Sequence, residues 1–230
     1  MTTSGPTENR EPTRREQALE QLRSAILDGH FKTGQKLVER ELCELTGASR
    51  SVLREALANL EANGLVESES YRGYRVAQLS PHKIYEIFEL RSALETLAAE
   101  LFAERASAAE LVELADVLRA LENSVANFEL TEMRKIKERY YELLFRGCRN
   151  DEIRGALETI INRVFYLRSY LMTNPARRAA SLKEMRTLTR ALLARDRLAA
   201  RAATLAHLEA ARDAVLEGIE KSTPGRGDSA

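Results

Sequence analysis

Glycine is scarce in residues 80–220 of this chain. Gly29, Gly34, Gly47, Gly64 and Gly73 punctuate residues 15–79, whereas only Gly147, Gly155 and Gly218 interrupt residues 80–220. Glycine marks places where the backbone must turn or take a positive φ. A long stretch nearly without it, heavy in Ala, Leu, Glu and Arg and helical in period, reads as helices. The 230 residues therefore predict two domains of different character: a small one of short elements joined by tight turns, and a larger all-helical one. Residues 1–14 and 221–230 lack hydrophobic periodicity and read as a disordered arm and a disordered tail.

In residues 15–79, Leu19, Leu22, Ala25 and Ile26 keep helical spacing up to Gly29. Phe31 to Gln35 reads as a turn. Glu39 to Thr46 reads as a short helix with Leu42 and Leu45 inward, closed by Gly47. Ser49 caps a third helix that buries Val52, Leu53, Ala56, Leu57 and Leu60 and ends at Asn63-Gly64. Leu65-Val66-Glu67 and Tyr74-Arg75-Val76 read as two strands around a polar turn ending in Gly73. Helix, helix-turn-helix, hairpin is the order of a winged helix.

Residues 80–220 read as an antiparallel bundle of six to seven helices, so the fold class is mainly α. Ser80-Pro81 opens the first, with an apolar stripe of Ile84, Ile87, Phe88, Leu90, Leu94, Leu97, Ala98 and Leu101. Ser107 to Glu110 is a capping box for the second. The third spans about 132–148 and the fourth about 152–172. Asn174-Pro175 breaks the chain, Ser181 to Glu184 reads as a further capping box, and Asp196 caps the last helix.

Charge narrows the function. Thirty-five basic and thirty-five acidic residues sum to zero, which excludes a globally basic, histone-like binder. Any nucleic-acid site must be a local patch, and the third helix offers one. It opens Ser49-Arg50-Ser51-Val52-Leu53-Arg54. Arg50 and Arg54 share a face, and the Ser49 and Ser51 hydroxyls sit beside a helix N-terminus that favours phosphate. Arginine also makes the bidentate contact to guanine. Arg40 lies within reach of a DNA backbone, and Arg72 beside Gly73 stands at the tip of the hairpin. Against this, Arg at i and i+4 is ordinary solvated surface, and residues 1–79 hold eleven basic and twelve acidic side chains.

The order of motifs over residues 18–78 is more specific than the charges. Ile26-Leu27-Asp28-Gly29, Gly34, Leu37, Glu39-Arg40-Glu41-Leu42, Gly47-Ala48-Ser49-Arg50, Leu53-Arg54-Glu55-Ala56-Leu57, Gly64-Leu65-Val66 and Arg72-Gly73-Tyr74-Arg75-Val76 resemble the N-terminal domain of GntR-family bacterial transcription regulators. The helical remainder resembles the ligand-binding domain of the FadR-like branch, on Glu89-Leu90-Arg91, Leu94-Glu95, Asn150 and the stretch from Ala191 through Asp196 to His207-Leu208. The resemblance implies a homodimer bound to a roughly palindromic double-stranded operator, with a small-molecule effector controlling affinity. It places DNA contacts on Arg40, Ser49, Arg50, Ser51, Arg54 and Gly73, which match the family pattern.

Most members of that branch hold a metal with an Asp, a His four residues later, and two further His. By the resemblance those positions fall on Lys137, Tyr141, Met185 and His207, and only His207 matches. An ammonium cannot ligate, and a thioether suits soft metals alone. The expectation is a cavity without metal or other cofactor, taking an organic acid or acyl effector directly. Lys137 or Arg91 would anchor the acid, beside Tyr141, Met185 and His207. A lone histidine or tyrosine on a core face is equally an ordinary core residue, and Arg91 can pair with Glu95 four residues on.

No nucleophile elbow, phosphate-binding loop, dinucleotide fingerprint or metalloprotease motif is present, so no enzyme is expected. No apolar run is long enough to span a membrane, and the polar first residues are not a secretory signal. Cys43 and Cys148 have neither disulfide-framework nor zinc spacing and read as buried free thiols, which points to a cytoplasmic, reducing compartment. The rival reading is a winged helix that docks a protein instead of DNA. Apolar residues in place of Arg50, Arg54 and Arg72 would favour it.

Overall fold

The computed structural model describes residues 12–69, 73–157, 160 and 174–222. The chain divides between Ala77 and Gln78 into two units. In the first, α1 (Arg14–Leu27) starts on a capping box, in which Thr13 and Glu16 satisfy each other's backbone N–H groups. The helix thus begins inside the stretch that composition assigned to the arm. Gly29, at φ 79°, turns the chain out of it. β1 (Lys36–Leu37) follows, then α2 (Glu39–Thr46), ended by Gly47 in the left-handed region at φ 63°. α3 (Arg50–Ala62) is capped by the Ser49 hydroxyl, which accepts from the Val52 N–H.

These three helices close over Leu22, Ile26, Leu27, Leu42, Leu53, Leu57 and Leu60, all buried. At about 1.5–3 kcal/mol for each buried large side chain, this small core is enough to order the domain. β2 (Val66–Glu69) and β3 (Gly73–Val76) form the hairpin, and β1 pairs with β3 to complete an antiparallel sheet in the order β1-β3-β2. The strand β1 is missing from the sequence reading. Two residues carry no periodicity, and only the pairing of Lys36 with Arg75 and Leu37 with Tyr74 makes them a strand. Leu45, assigned inward, is 54% exposed. Cys43, assigned to the core, is half-buried, whereas Cys148 is buried.

In the second unit, α4 (Pro81–Arg105), α5 (Ala108–Ala126), α6 (Leu130–Gly147), α7 (residues 151–157), α8 (Pro175–Leu193) and α9 (Arg197–Ser222) follow one another. Most of the fourth expected bundle helix, 152–172, lies outside the described residues. α9 runs to Ser222, two residues past the boundary drawn for the tail. Asp196 caps it by accepting from the Ala199 N–H. α4 packs most extensively on α9, α5 on α6, and α8 on both α9 and α5.

Asn174-Pro175 does not break the chain but starts α8. The Asn174 side chain accepts from Ala176 N and Arg177 N, and proline suits the first helical position, where no N–H is needed. Ser181 and Glu184 therefore lie inside α8 and face the bundle; they cap nothing. The α4 stripe was also drawn too wide. Ile84, Ile87, Phe88, Ala98 and Leu101 are buried, but Leu90 and Leu97 are 48% and 41% exposed.

Where glycine is scarce, arginine closes helices. Arg195, at φ 54°, ends α8, and its guanidinium donates to the Ala103 and Ala106 carbonyls at the end of α4. Arg149, at φ 55°, ends α6 and donates to Glu110 and to the Arg146 carbonyl. The strain of a left-handed non-glycine residue, about 1 kcal/mol, is offset by side-chain bonds to neighbouring helix ends.

Gly147 has a packing reason. A Cβ there would run into ring carbons of Phe102, which is itself fully buried and cannot swing away. Gly147→Ala is expected to destabilise the protein by about 1–3 kcal/mol, the range for overpacking a tight core. Urea denaturation measures it; equal or greater stability than wild type would contradict the packing described.

Candidate functional site

Two sites emerge, one on each unit. On the first, Ser49, Arg50, Ser51 and Arg54 all stand exposed at the start of α3. The Ser49 and Ser51 hydroxyls lie 3.0 Å apart, beside the first free N–H groups of the helix. Arg40, on the first turn of α2, is also exposed, with Glu44 at 4.0 Å. Arg54 is held rather than waving: its Nε and Nη2 donate to the two carboxylate oxygens of Glu39 at 3.0 and 3.3 Å. Hydrogen bonding and charge from Glu39 raise its pKa further above the ordinary arginine value. The fork fixes the direction of Arg54 and ties α2 to α3, a partner the sequence reading did not supply. Gly73, at φ 90°, opens β3 and is exposed. Arg72 lies outside the described residues. Behind Gly73, Arg75 forms an ion pair with Glu69 across the hairpin.

The second site is a cavity among α5, α6, α8 and α9. Lys137, Arg177, Arg178, Ser181 and His207 line it, with apolar walls that include Leu121 and Met133. Lys137 Nζ donates to Ser181 Oγ at 2.9 Å. Arg178 stacks its guanidinium 4.0 Å over the Phe128 ring. Arg177 makes a two-pronged bond to Glu184, at 2.6 and 2.8 Å. Glu184 also reaches His207 Nδ1 at 2.7 Å, and His207 Nε2 lies 3.1 Å from the Tyr141 hydroxyl. A carboxylate only accepts, so Nδ1 carries a proton; in a neutral ring Nε2 then accepts from Tyr141.

Of the five residues expected here, Lys137 and His207 line the cavity and Tyr141 stands one hydrogen bond behind it. Met185 is buried in the core and is not part of the lining. Arg91 is fully buried elsewhere on α4, bonded to Glu95 at 2.5 Å, with Phe88 beneath its guanidinium. Sequence reasoning missed Arg177, Arg178, Ser181 and Glu184. The signal was present: once Asn174-Pro175 is read as a cap, residues 177, 178, 181 and 184–185 fall at helical spacing on the inner face of α8.

The same two-part organisation is found in known proteins. The model for bacterial regulatory proteins of the gntR family matches residues 14–76, and the FCD domain model matches residues 86–210. The chain belongs to the GntR family. An HTH-type transcriptional regulator of Bacillus subtilis strain 168, YdhC, is 31% identical over 188 residues, which span 81% of this chain and 84% of that one. The Nta operon transcriptional regulator of Aminobacter aminovorans is 28% identical over 190 residues, 83% of this chain and 89% of the other. The fold is also that of Escherichia coli McbR/YncC, with a TM-score of 0.77 at 21% identity over 92% of this chain and 99% of that one. GntR-family proteins with an FCD domain are transcription regulators, not enzymes; they bind DNA operators and small-molecule effectors. Among the described residues no helix is long and apolar enough to cross a membrane.

By the resemblance, a metal would fall on Lys137, Tyr141, Met185 and His207. Among the described residues no three His, Cys, Asp or Glu side chains gather closely enough to hold an ion. At the matching positions an ammonium bonds to a serine, a phenol bonds to His207, and a thioether lies in the apolar core. This donor set does not fit a first-row divalent ion.

Glu184 does not line the cavity, but it joins two residues that do, Arg177 and His207. Burial pushes its pKa up, but the bonds from Arg177 and His207 outweigh that and lower it from 4.5 to about 2. A carboxylate with a depressed folded-state pKa stabilises the fold fully above its unfolded value and loses that contribution as pH falls toward the folded one. Wild-type protein is therefore expected to lose stability between about pH 4.5 and pH 2, and Glu184→Gln to lose less over the same interval. Thermal melting of both proteins across this range checks it; parallel acid limbs would contradict that role.

Proposed function

We propose that this chain is a homodimeric cytoplasmic regulator whose α3 reads a roughly palindromic operator. In this reading an organic acid, bound without metal in the α5–α6–α8–α9 cavity, sets the affinity for DNA. The observation that carries the ligand class is the convergence of Lys137, Arg177 and Arg178 on one small cavity, where relatives are expected to place a metal. Fixed cationic head groups in a desolvated wall recognise a carboxylate as a metal would, by charge and by directed hydrogen bonds. The acid acts by favouring one of two arrangements of the protein over the other.

For DNA, the supporting observation is the exposed Ser49-Arg50-Ser51 turn with Arg54 four residues on, at a helix N-terminus. Arg40 and Gly73 would meet the backbone. For the dimer, Leu90, Ala93 and Leu97 form an exposed apolar stripe on α4. Leu198, Ala202 and Leu205 form another on α9, the helix that α4 packs against. Acidic Glu100 and Glu104 on α4 and basic Arg197 and Arg201 on α9 line the same pair of helices. A two-fold axis would bring such a surface against its own copy.

Arg50→Ala and Arg54→Ala are each expected to weaken operator binding by about 1–3 kcal/mol, and Arg40→Ala to weaken binding to all sequences alike. Gel-shift titration on selected operator and random duplex decides this, and a double Arg50/Arg54 variant with normal affinity and selectivity would remove α3 as the reader. Sedimentation gives the assembly: wild type should be a dimer, and Leu90→Glu with Leu97→Glu should shift it toward monomer. Elemental analysis of tag-free protein should find no zinc, nickel or manganese. One equivalent per chain, lost in His207→Ala, would overturn the metal-free reading.

A further inference from the structure

We infer that Glu184 is a resident stand-in for the ligand: the acid that enters the cavity displaces the Glu184 carboxylate from Arg177 and takes over its two-pronged hydrogen bond. This rests on the reading of the cavity as an organic-acid site, and it adds which residue the acid competes with and how occupancy alters the bundle.

The geometry on α8 prepares the exchange. Residues 177 and 184 are seven apart, two turns along one face, so each side chain must reach toward the other to meet at 2.6 and 2.8 Å. Arg177 belongs to the cavity wall, whereas Glu184 does not. The fork of this wall residue is filled by a carboxylate of the same helix. A guanidinium fork fits a carboxylate in one plane, and an incoming acid offers it the same partner that it already has. Exchange conserves both charge-assisted bonds on Arg177.

Nor is Glu184 stranded when it lets go. Its Oε2 also accepts from His207 Nδ1 at 2.7 Å, and this bond survives the loss of Arg177. A carboxylate with no second partner would resist displacement, because leaving a half-buried charge unsatisfied is costly. Lys137 and Arg178, on the same wall, are placed to take the rest of the anion. Glu184 joins two helices as well: through His207 it ties α8 to α9, and through Arg177 it ties the third turn of α8 to the first. Ligand entry cuts the second tie and leaves the first. The helix N-terminus that carries Arg177 and Arg178 then answers to the acid instead of to Glu184, which supplies a local two-state element that a ligand can bias.

The test uses the full chain and three defined probes, acetate, succinate and citrate, titrated by calorimetry, with circular dichroism confirming that each variant is folded. At least one probe should bind wild type. Glu184→Gln, which removes the competing charge, should bind it about tenfold more tightly, the scale of one lost charge-assisted competitor. Simple removal of a nearby negative charge would also tighten binding, so Arg177→Gln and the double variant complete a cycle. If the acid takes the Arg177 fork, the gain from Glu184→Gln vanishes when Arg177 is already absent. A gain that persists in the Arg177→Gln background, or no gain at all, overturns the inference while leaving the acid site standing. No binding of any probe to wild type or Glu184→Gln overturns the acid reading and the inference with it. Should Glu184→Gln fail to fold, Glu184→Asp carries the same test: its shorter side chain keeps the charge but loosens the fork, and it should bind the probe more tightly than wild type does.

Discussion

The second unit depends on how closely α4 and α9 can approach. Both are long, 25 and 26 residues, and they carry small buried side chains: Ala98, Ala99 and Ala103 on one, Ala200, Thr204 and Ala211 on the other. Small side chains allow two helix axes to draw together and bury backbone as well as side chain. Glu100 of α4 holds Arg197 and Arg201 of α9 along the seam. Arg195, just before α9, fastens the end of α4 through two carbonyls. With this pair fixed, α8 has a surface to lie on, and Glu184 meets His207 because α8 and α9 are held at packing distance.

The cavity shows how a helical bundle can hold charge inside. Each cationic head group on its wall is steadied by something other than water: a hydroxyl for Lys137, an aromatic face for Arg178, a carboxylate fork for Arg177. Glu184 in turn satisfies both Arg177 and His207, so one anion serves two partners. Removing a single member would leave its neighbours exposed to the desolvation cost of unmet polar groups. This interdependence explains why the aromatic and aliphatic neighbours are ordinary core residues while the polar ones cluster so tightly.

Much of the fold was legible because its signals are local. Gly29, Gly47 and Gly64 each stand at a positive φ where a helix of the first unit ends, and the Ser107 to Glu110 box caps α5 as its pattern indicates. Positions set by distant partners were not legible. β1 exists only through β3, Leu45 is exposed although its helical phase suggested otherwise, and the Glu39 fork on Arg54 joins residues fifteen apart. In the bundle, one misjudged dipeptide had the largest effect. Treating Asn174-Pro175 as a break moved the start of α8 by about two turns and hid Arg177 and Arg178. Alignment to a family pattern pointed to Lys137 and His207 but also to Met185 and Arg91, because a pattern fixes helix phase and not which neighbours a side chain finds.

The Arg54–Glu39 fork has a consequence for how salt acts on this protein. Under the role proposed for α3, Arg54 comes to DNA already carrying an anion. When it turns to the duplex it leaves Glu39 behind, and that uncovered carboxylate gathers cations from solution. The DNA sheds condensed cations as usual when a guanidinium arrives, yet part of what it sheds is taken up again a few ångströms away. The net release of ions is then smaller than the number of arginines at the interface would suggest, and operator occupancy falls less steeply as the ionic strength of the surroundings rises.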